Sequence, residues 1–387
     1  MLKLHGNALS ANIKLGNHSL LTVTQTNCSD NARGSYAYLM NGQTPDSGYG
    51  CYLDFGGRLN NFSSIDGYLN LPVEMNYLEE GDIISVESSG HTNVVFRRKS
   101  PHNTILLTER CNHYCLMCSQ PPKDVDDSWL MNEAMKLLDL IPRETGNIGF
   151  SGGEPTLYGD DFIDLIAKAK SSLPNTAIDV LTNGRRFSDP KFAKAYADIN
   201  HPDCLLGIPI YSDDPVRHNY VVQADGAFDE TVKGILNLKK YGQKVEIRIV
   251  IHKQTIGRLV ETCEFIARNL LFVDHVALMG LEMMGFTRAN LDSLWIDPLE
   301  YKDILSRAVK VLNAYGIRTS VYNHQLCLVN PDVLPNYVKS ISDWKNEFVD
   351  ECEPCLRKSE CGGFFSSSKI HRYSDNITPF TSLSHAK

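Results

Sequence analysis

"TILLTERCNHYCLMCSQ", Thr104 to Gln120, joins a short apolar run to a loop that carries Cys111, Cys115 and Cys118. The run reads as a β-strand. The loop that follows spaces its three thiols as C-x3-C-x2-C. In parallel α/β architectures, loops at the C-terminal ends of strands carry the chemistry. Four thiolates would saturate an iron–sulfur cluster or close a structural zinc site. Three thiolates on a four-iron cluster leave one iron open to a further ligand, which catalysis requires and electron storage does not. A Cys3His zinc knot that borrows His113 is the competing reading of the same spacing. Otherwise His113, inside the loop, reads as a surface or supporting residue.

Downstream of the loop the pattern alternates. Leu130, Ala134, Leu137, Leu138 and Ile141 of "LMNEAMKLLDLI" fall at helical spacing. Further strands are predicted at "NIGFS", "AIDVLT", "CLLGIPIY", "KVEIRIVI" and "HVALMGL". Helices are predicted at "DFIDLIAKAKSS", "DPKFAKAYADI", "FDETVKGILNLKKYG", "GRLVETCEFIARNL" and "PLEYKDILSRAVKVLNAYG", the last stopped by Gly316. Strands that each feed a helix predict an α/β fold with a helix-covered parallel sheet. The count suits a partial, open (β/α)6 barrel of the TIM type, and a doubly wound sheet satisfies the same periodicity.

Upstream, residues 1–100 are rich in Gly, Asn, Ser and Tyr, with apolar runs such as "LLTVTQ" and "DIISVE" between turns such as "EEGD" and "ESSGHTN". They predict an N-terminal all-β module of short strands and hairpins. The charged, Pro-containing "RRKSPHN" sets a boundary, so the expected domains are 1–100, 101–290 for the barrel and 291–387 for an irregular C-terminal extension. That extension holds a second cysteine group. Cys352, Cys355 and Cys361 are spaced C-x2-C-x5-C in "DECEPCLRKSECGGFF", and Cys327 lies upstream in "NHQLCLVN". Four cysteines satisfy either a zinc ion or a fully ligated 4Fe–4S cluster. Without Cys327 such a cluster would keep an open iron.

The chain has 387 residues, 42% hydrophobic and 22% charged, as a soluble protein with a sizeable core would. Its formal charge of −8 argues against general nucleic-acid binding, which needs clustered Lys and Arg. No apolar stretch approaches the ~18 residues of a membrane span. The start, "MLKLHGNALSANIKLG", has no continuous apolar region of the signal-peptide kind. The expected compartment is the cytoplasm, where eleven cysteines are not a disulfide framework. Cys28, Cys51, Cys204 and Cys263 stand alone and read as small apolar residues.

"CNHYCLMC" resembles the signature of the radical S-adenosylmethionine enzymes. The resemblance implies a partial (β/α)6 barrel and a 4Fe–4S cluster on Cys111, Cys115 and Cys118. It also implies S-adenosylmethionine chelated at the open iron and cleaved reductively to a 5′-deoxyadenosyl radical. Gly152, Gly153 and Glu154 in "GFSGGEPTLY" resemble the family's GGE motif, which meets the amino group of S-adenosylmethionine. Glycines let a backbone approach a ligand, and a carboxylate suits an ammonium. Asn183 in "LTNG", Ser212 in "YSDD" and Arg248 in "KVEIRIVIH" stand at strand positions where related enzymes hold the nucleoside, ribose and carboxylate. "LMGLEMMGF" would flank the adenine. Leu116 stands where the family usually has an aromatic residue, and Leu116 and Met117 would border the cofactor. The C-terminal cysteines resemble the auxiliary-cluster tails of SPASM and twitch type. Together with "CSQPP", "SDWKNEF" and "CEPCLRKSECGGFFSSS", they resemble the HxsC-type maturase of the His-Xaa-Ser peptide system. That implies post-translational modification of a precursor peptide, an auxiliary 4Fe–4S cluster, and an electron donor such as flavodoxin or ferredoxin. A second radical maturase or a small protein is the expected partner, with no membrane and no nucleic acid. Modification of RNA or a metabolite, or a non-catalytic iron–sulfur or zinc scaffold, are the alternatives.

Overall fold

The computed structural model describes residues 3–42, 46–59, 63–339 and 347–382. Ser342 to Asn346 of the "SDWKNEF" stretch lie outside them. The fold is α/β and divides into two compact units, the first comprising Met1–Leu107, Asp127–Phe150 and Asp164–Ala177, the second Thr108–Asp126, Ser151–Ile163 and Ile178–Lys387.

The first unit begins with eight strands: β1 (His5–Asn7), β2 (Ser10–Asn12), β3 (Ser19–Thr24), β4 (Tyr36–Leu39), β5 (Cys51–Phe55), β6 (Tyr68–Leu71), β7 (Ile83–Val86) and β8 (His91–Phe96). They form one sheet in the order β1-β8-β7-β3-β4-β5-β6-β2. The expected hairpin character holds for β7–β8, closed by a tight turn in which Gly90 N donates to Glu87 O over 2.8 Å. Elsewhere it gives way, because β3, β4, β5 and β6 pair in parallel. β1 and β2 occupy opposite ends of the order but are separated only by Ala8 and Leu9. Two residues span at most about 7 Å, so the sheet must curl until its ends meet. Ala8 N donates to Gly90 O (3.2 Å) and Leu9 N to Asn70 O (2.8 Å), stitching the seam. Inside lie Leu21, Val23, Ala37, Leu53, Leu69 and Ile84, all but inaccessible to water. Burial of each such side chain stabilises by roughly 1.5–3 kcal/mol. Cys51 is buried among them as a small apolar side chain.

The same unit holds β9 (Thr104–Leu106), α1 (Ser128–Leu137), most of β10 (Asn147–Ser151) and the end of α2 (Asp160–Ser172). α1 buries Leu130, Met131, Ala134 and Leu137, the stripe its spacing dictates.

The second unit carries β11 (Ala177–Leu181), α3 (Pro190–Asp198), β12 (Cys204–Pro209), α4 (Pro215–Val222), α5 (Ala227–Lys240), β13 (Lys244–Ile251), α6 (Lys253–Ile256) and α7 (Leu259–Asn269). Then come β14 (His275–Gly280), α8 (Phe286–Ala289), α9 (Leu291–Leu294), α10 (Pro298–Ala314), β15 (Thr319–Tyr322) and α11 (Ser366–His371). β11 to β15 pair in parallel, each with the next in chain order. This succession is that of a barrel-type sheet; a doubly wound sheet reverses order at a switch point. The six expected strands are β9 to β14, and β15 adds one the sequence reading did not anticipate. α10 stops where Gly316 takes φ +74°.

β13 shows how the sheet makes room for a site. Val245, Ile247, Ile249 and Ile251 are buried, while Glu246, Arg248 and Val250 are half-buried. The period of two sends the first set toward the helices and the second to the opposite face. The expected near-continuous apolar strand is therefore two-faced here.

Candidate active site

The cysteine loop is clamped by backbone on two sides. Tyr114 N and Leu116 N donate to Val222 O (3.0 Å) and Val221 O (2.9 Å) at the end of α4. From beyond β14, Thr287 Oγ1 donates to Met117 O (3.2 Å), Asn290 Nδ2 to Leu116 O (2.9 Å) and Phe286 N to Cys118 O (2.8 Å). The loop is held by main-chain polar groups, which leaves its side chains free to serve a ligand.

Gly152 and Gly153 fix the start of the loop. Gly153 N donates to Thr108 O and Glu154 N to Arg110 O, each over 2.8 Å. A Cβ at Gly152 would stand 2.3 Å from Thr108 O, and one at Gly153 would stand 2.1 Å from Arg110 O. No other residue permits that approach.

Cys111, Cys115 and Cys118 line one cavity of about 440 Å³, together with Met117, Gly152, Gly153, Asn183 and Arg248. Burial pushes the Cys111 thiol up to about 12 and raises those of Cys115 and Cys118. For Cys115, burial comes first and the neighbouring Cys118 and Cys111 add to it. Three thiols this close resist ionising together unless a cation compensates them. Among the described residues, no three His, Cys, Asp or Glu side chains are already drawn together as a bound ion draws its ligands. The donor set, the glycine cradle and the cavity nevertheless fit an iron–sulfur cluster with room for a further ligand.

The cavity's far wall comes from Gly207, Pro209, Arg248, Val250 and Met279 on β12, β13 and β14. Gly207 leaves space for the Arg248 side chain, since a Cβ there would stand 3.0 Å from Arg248 Cδ. Arg248 Nη1 lies 3.6 Å from Glu246 Oε1. Glu246 in turn meets His275 Nδ1 at 2.6 Å, and His275 Nε2 meets Ser320 Oγ at 2.9 Å. Asn183 Nδ2 donates to Asn112 Oδ1 (2.6 Å), tying the end of β11 to the cysteine loop.

Three residues expected at the cofactor do not line this cavity. The Glu154 carboxylate does not line the cavity: it accepts from Thr156 N (3.0 Å), Thr156 Oγ1 (2.5 Å), Thr182 Oγ1 (2.7 Å) and Asn183 N (2.5 Å). Its lone pairs are spent on joining the Gly-Gly turn to β11, and burial raises its pKa. Ser212 is buried and caps the next turn, accepting from Asp214 N at 3.1 Å. Leu116 packs on a cluster containing Val221, Val222 and Leu294 instead of on the cavity wall.

Tyr211 went unnoticed in the sequence reading, and His113 was left open between a surface and a supporting residue. Tyr211 is buried against the loop and lines the cavity. His113 is only 3% exposed, not a surface residue. Its Nδ1 lies 4.0 Å from Cys115 Sγ, and burial, with Arg185 and His218 nearby, lowers its pKa to about 3. No local pattern distinguishes either from ordinary loop or strand-end residues.

The second cysteine group also converges. Cys327, Cys352, Cys355 and Cys361 line one small pocket, walled by Phe348, Phe364, Ile377, Pro379 and Phe380. Cys361 Sγ accepts from Leu326 N and Gly363 N, each at 3.4 Å. Burial raises Cys327 to about 11, with Cys361 and Cys352 adding to it. Four thiols facing one enclosed space fit a fully ligated cluster or a zinc ion equally.

Part of the chain is similar to known proteins. Residues 105–266 match the Radical SAM superfamily model. An Fe-coproporphyrin III synthase from Methanosarcina barkeri is 32% identical over 39% of this chain and 37% of its own length. A pyruvate formate-lyase-activating enzyme from Clostridium pasteurianum is 25% identical over 55% of this chain and 88% of its own. The crystal structure of Streptococcus suis SuiB bound to S-adenosylmethionine superposes with a TM-score of 0.47 at 15% identity, covering 59% of this chain and 52% of that one. This chain thus spans little more than a third of the first relative and about half of SuiB. Among the described residues, no helix is long and apolar enough to cross a membrane.

Proposed function

Because the chain carries a radical SAM domain, we propose that it is a radical S-adenosylmethionine enzyme that modifies a ribosomally made peptide. Cys111, Cys115 and Cys118 would hold a 4Fe–4S cluster. The observation that carries this reading is the convergence of those thiols, the Gly152–Gly153 turn and Arg248 on one cavity. When both are bound, the cluster and S-adenosylmethionine supply a 5′-deoxyadenosyl radical that takes a hydrogen atom from a C–H bond.

The protein's own residues do the rest. The Gly-Gly backbone admits a ligand closely. Arg248, oriented by Glu246, offers its guanidinium to a carboxylate in the cavity. Asn183 and Tyr211 border the same space. The apolar Pro209, Val250 and Met279 exclude water and hold the reacting groups in place, which is much of the catalysis.

Two features favour a peptide substrate. One is the thiol-lined pocket of Cys327, Cys352, Cys355 and Cys361, which would hold an auxiliary cluster of the kind that the resemblance to SPASM and twitch tails implies. The other is the name of the Clostridium relative, which denotes action on another protein. A flavodoxin or ferredoxin would supply the electron, in the cytoplasm, and a second maturase is the candidate partner. The test is anaerobic reconstitution with a reductant and S-adenosylmethionine, alone and with co-expressed precursor peptides analysed by mass spectrometry. The expected result is 5′-deoxyadenosine and a peptide of altered mass. A protein that takes up zinc and no iron would end the proposal.

A further inference from the structure

Three buried histidines of the second unit, His113, His218 and His252, each have an Nε2 without a hydrogen-bond partner. In two of them the other ring nitrogen fixes the tautomer. His218 Nδ1 accepts from Tyr211 N, and His252 Nδ1 accepts from Gln254 N, both at 3.2 Å. A ring nitrogen that accepts from a backbone N–H carries no proton, so these two are fixed in the Nε2–H form.

His113 differs. The contact its Nδ1 makes is with Cys115 Sγ at 4.0 Å. Its backbone N–H also donates to Cys111 Sγ over 3.4 Å. One residue therefore faces two of the three sulfurs from within the cavity wall. A ligating sulfur only accepts hydrogen bonds, so the contact requires the proton on Nδ1. Donors to the sulfurs of an iron–sulfur cluster draw off negative charge and stabilise its reduced form. In a buried site that effect is strengthened by the low local dielectric.

We propose that His113 is a positioning residue that donates Nδ1–H to the Cys115 sulfur and raises the reduction potential of the cluster held there. This rests on the iron–sulfur reading given above. The chain would thereby ease delivery of the electron that begins turnover.

The experiment is a redox titration followed by electron paramagnetic resonance on the anaerobically reconstituted full chain. The signal that changes on adding S-adenosylmethionine identifies this cluster. His113→Leu removes the donor. His113→Asn keeps an amide nitrogen near the place of Nδ1. His113→Gln moves it outward, toward the place of Nε2. The expected result is a midpoint shifted to lower potential in the Leu and Gln variants and close to wild type in the Asn variant, at unchanged iron content. Equal midpoints in all loaded proteins would overturn the proposal, as would an Asn variant shifted as far as Gln. If the Leu variant takes up no iron, the Asn and Gln pair decides by the same criterion. A wild-type protein without iron would instead defeat the underlying functional reading.

Discussion

The two thiol sites differ in number and in surroundings. The loop after β9 offers three thiols to a cavity of about 440 Å³ whose other walls carry glycine backbone, an arginine and an asparagine. The C-terminal site offers four thiols to a small pocket walled largely by aromatic and aliphatic side chains. A metal group with an exchangeable position needs space and polar partners beside it. One whose positions are all taken needs neither, and is better served by apolar walls. On the proposed function the first site would carry the chemistry and the second would support it, a division that can be tested from either side.

The largest expected effect is at the first site. Cys115→Ala should bring 5′-deoxyadenosine formation below detection, measured by liquid chromatography after anaerobic incubation, because two thiols no longer hold the cluster. Cys352→Ala should leave cleavage of S-adenosylmethionine measurable while lowering iron content and peptide modification. Equal loss of cofactor cleavage in both variants would break the distinction between the sites.

Gly153→Ala sharpens it further. Its Cβ would overlap Arg110 O, so the cysteine loop must separate from the end of β10. The cost should be about 2–4 kcal/mol in denaturant unfolding, with iron lost from the first site before the second.

The smallest effect is a difference in acid response. His252 lies near the first site, His324 near the second. Burial lowers His252 to about 3 and His324 to about 4. Below pH ~6.5 the unfolded chain takes up protons that these folded side chains refuse. Their contribution to stability is therefore complete above that pH and is lost as the pH falls, toward 4 for His324 and toward 3 for His252. The slope should be on the order of 1 kcal/mol per pH unit for each group. His252→Asn keeps an N-cap acceptor for Gln254 N and should flatten the slope by about one group's share. His324 is satisfied at both nitrogens, by Tyr301 Oη at 2.9 Å and Tyr322 O at 2.7 Å. Its replacement should cost stability at neutral pH as well, read by urea titrations at pH 5 and 7.5.

What the sequence disclosed was what is local. The C-x3-C-x2-C spacing, the Gly-Gly pair and the strand–helix alternation depend on neighbours along the chain, and all appear as read. The hydrogen bonds of the Glu154 carboxylate were not legible because its partners, Thr182 and Asn183, arrive from another strand. A carboxylate beside a ligand motif looks available until the donors that occupy it are known. His113 was left open between a surface and a supporting residue for a similar reason, since the residues that bury it come from elements far along the sequence. The parallel pairing of β3 to β6 was equally hidden, because alternation defines a strand but not its partner or direction.

The seam of the N-terminal sheet bears on how the protein is made. Residues 5–12 are made before the rest of this sheet, yet their partners extend to Asn93 on one side and Asn70 on the other. Those early residues must wait, unpaired, through the synthesis of nearly the whole module before either can dock. Ribosomal pausing between the codons for β2 and β8 would prolong the interval in which open strand edges can be captured by other chains.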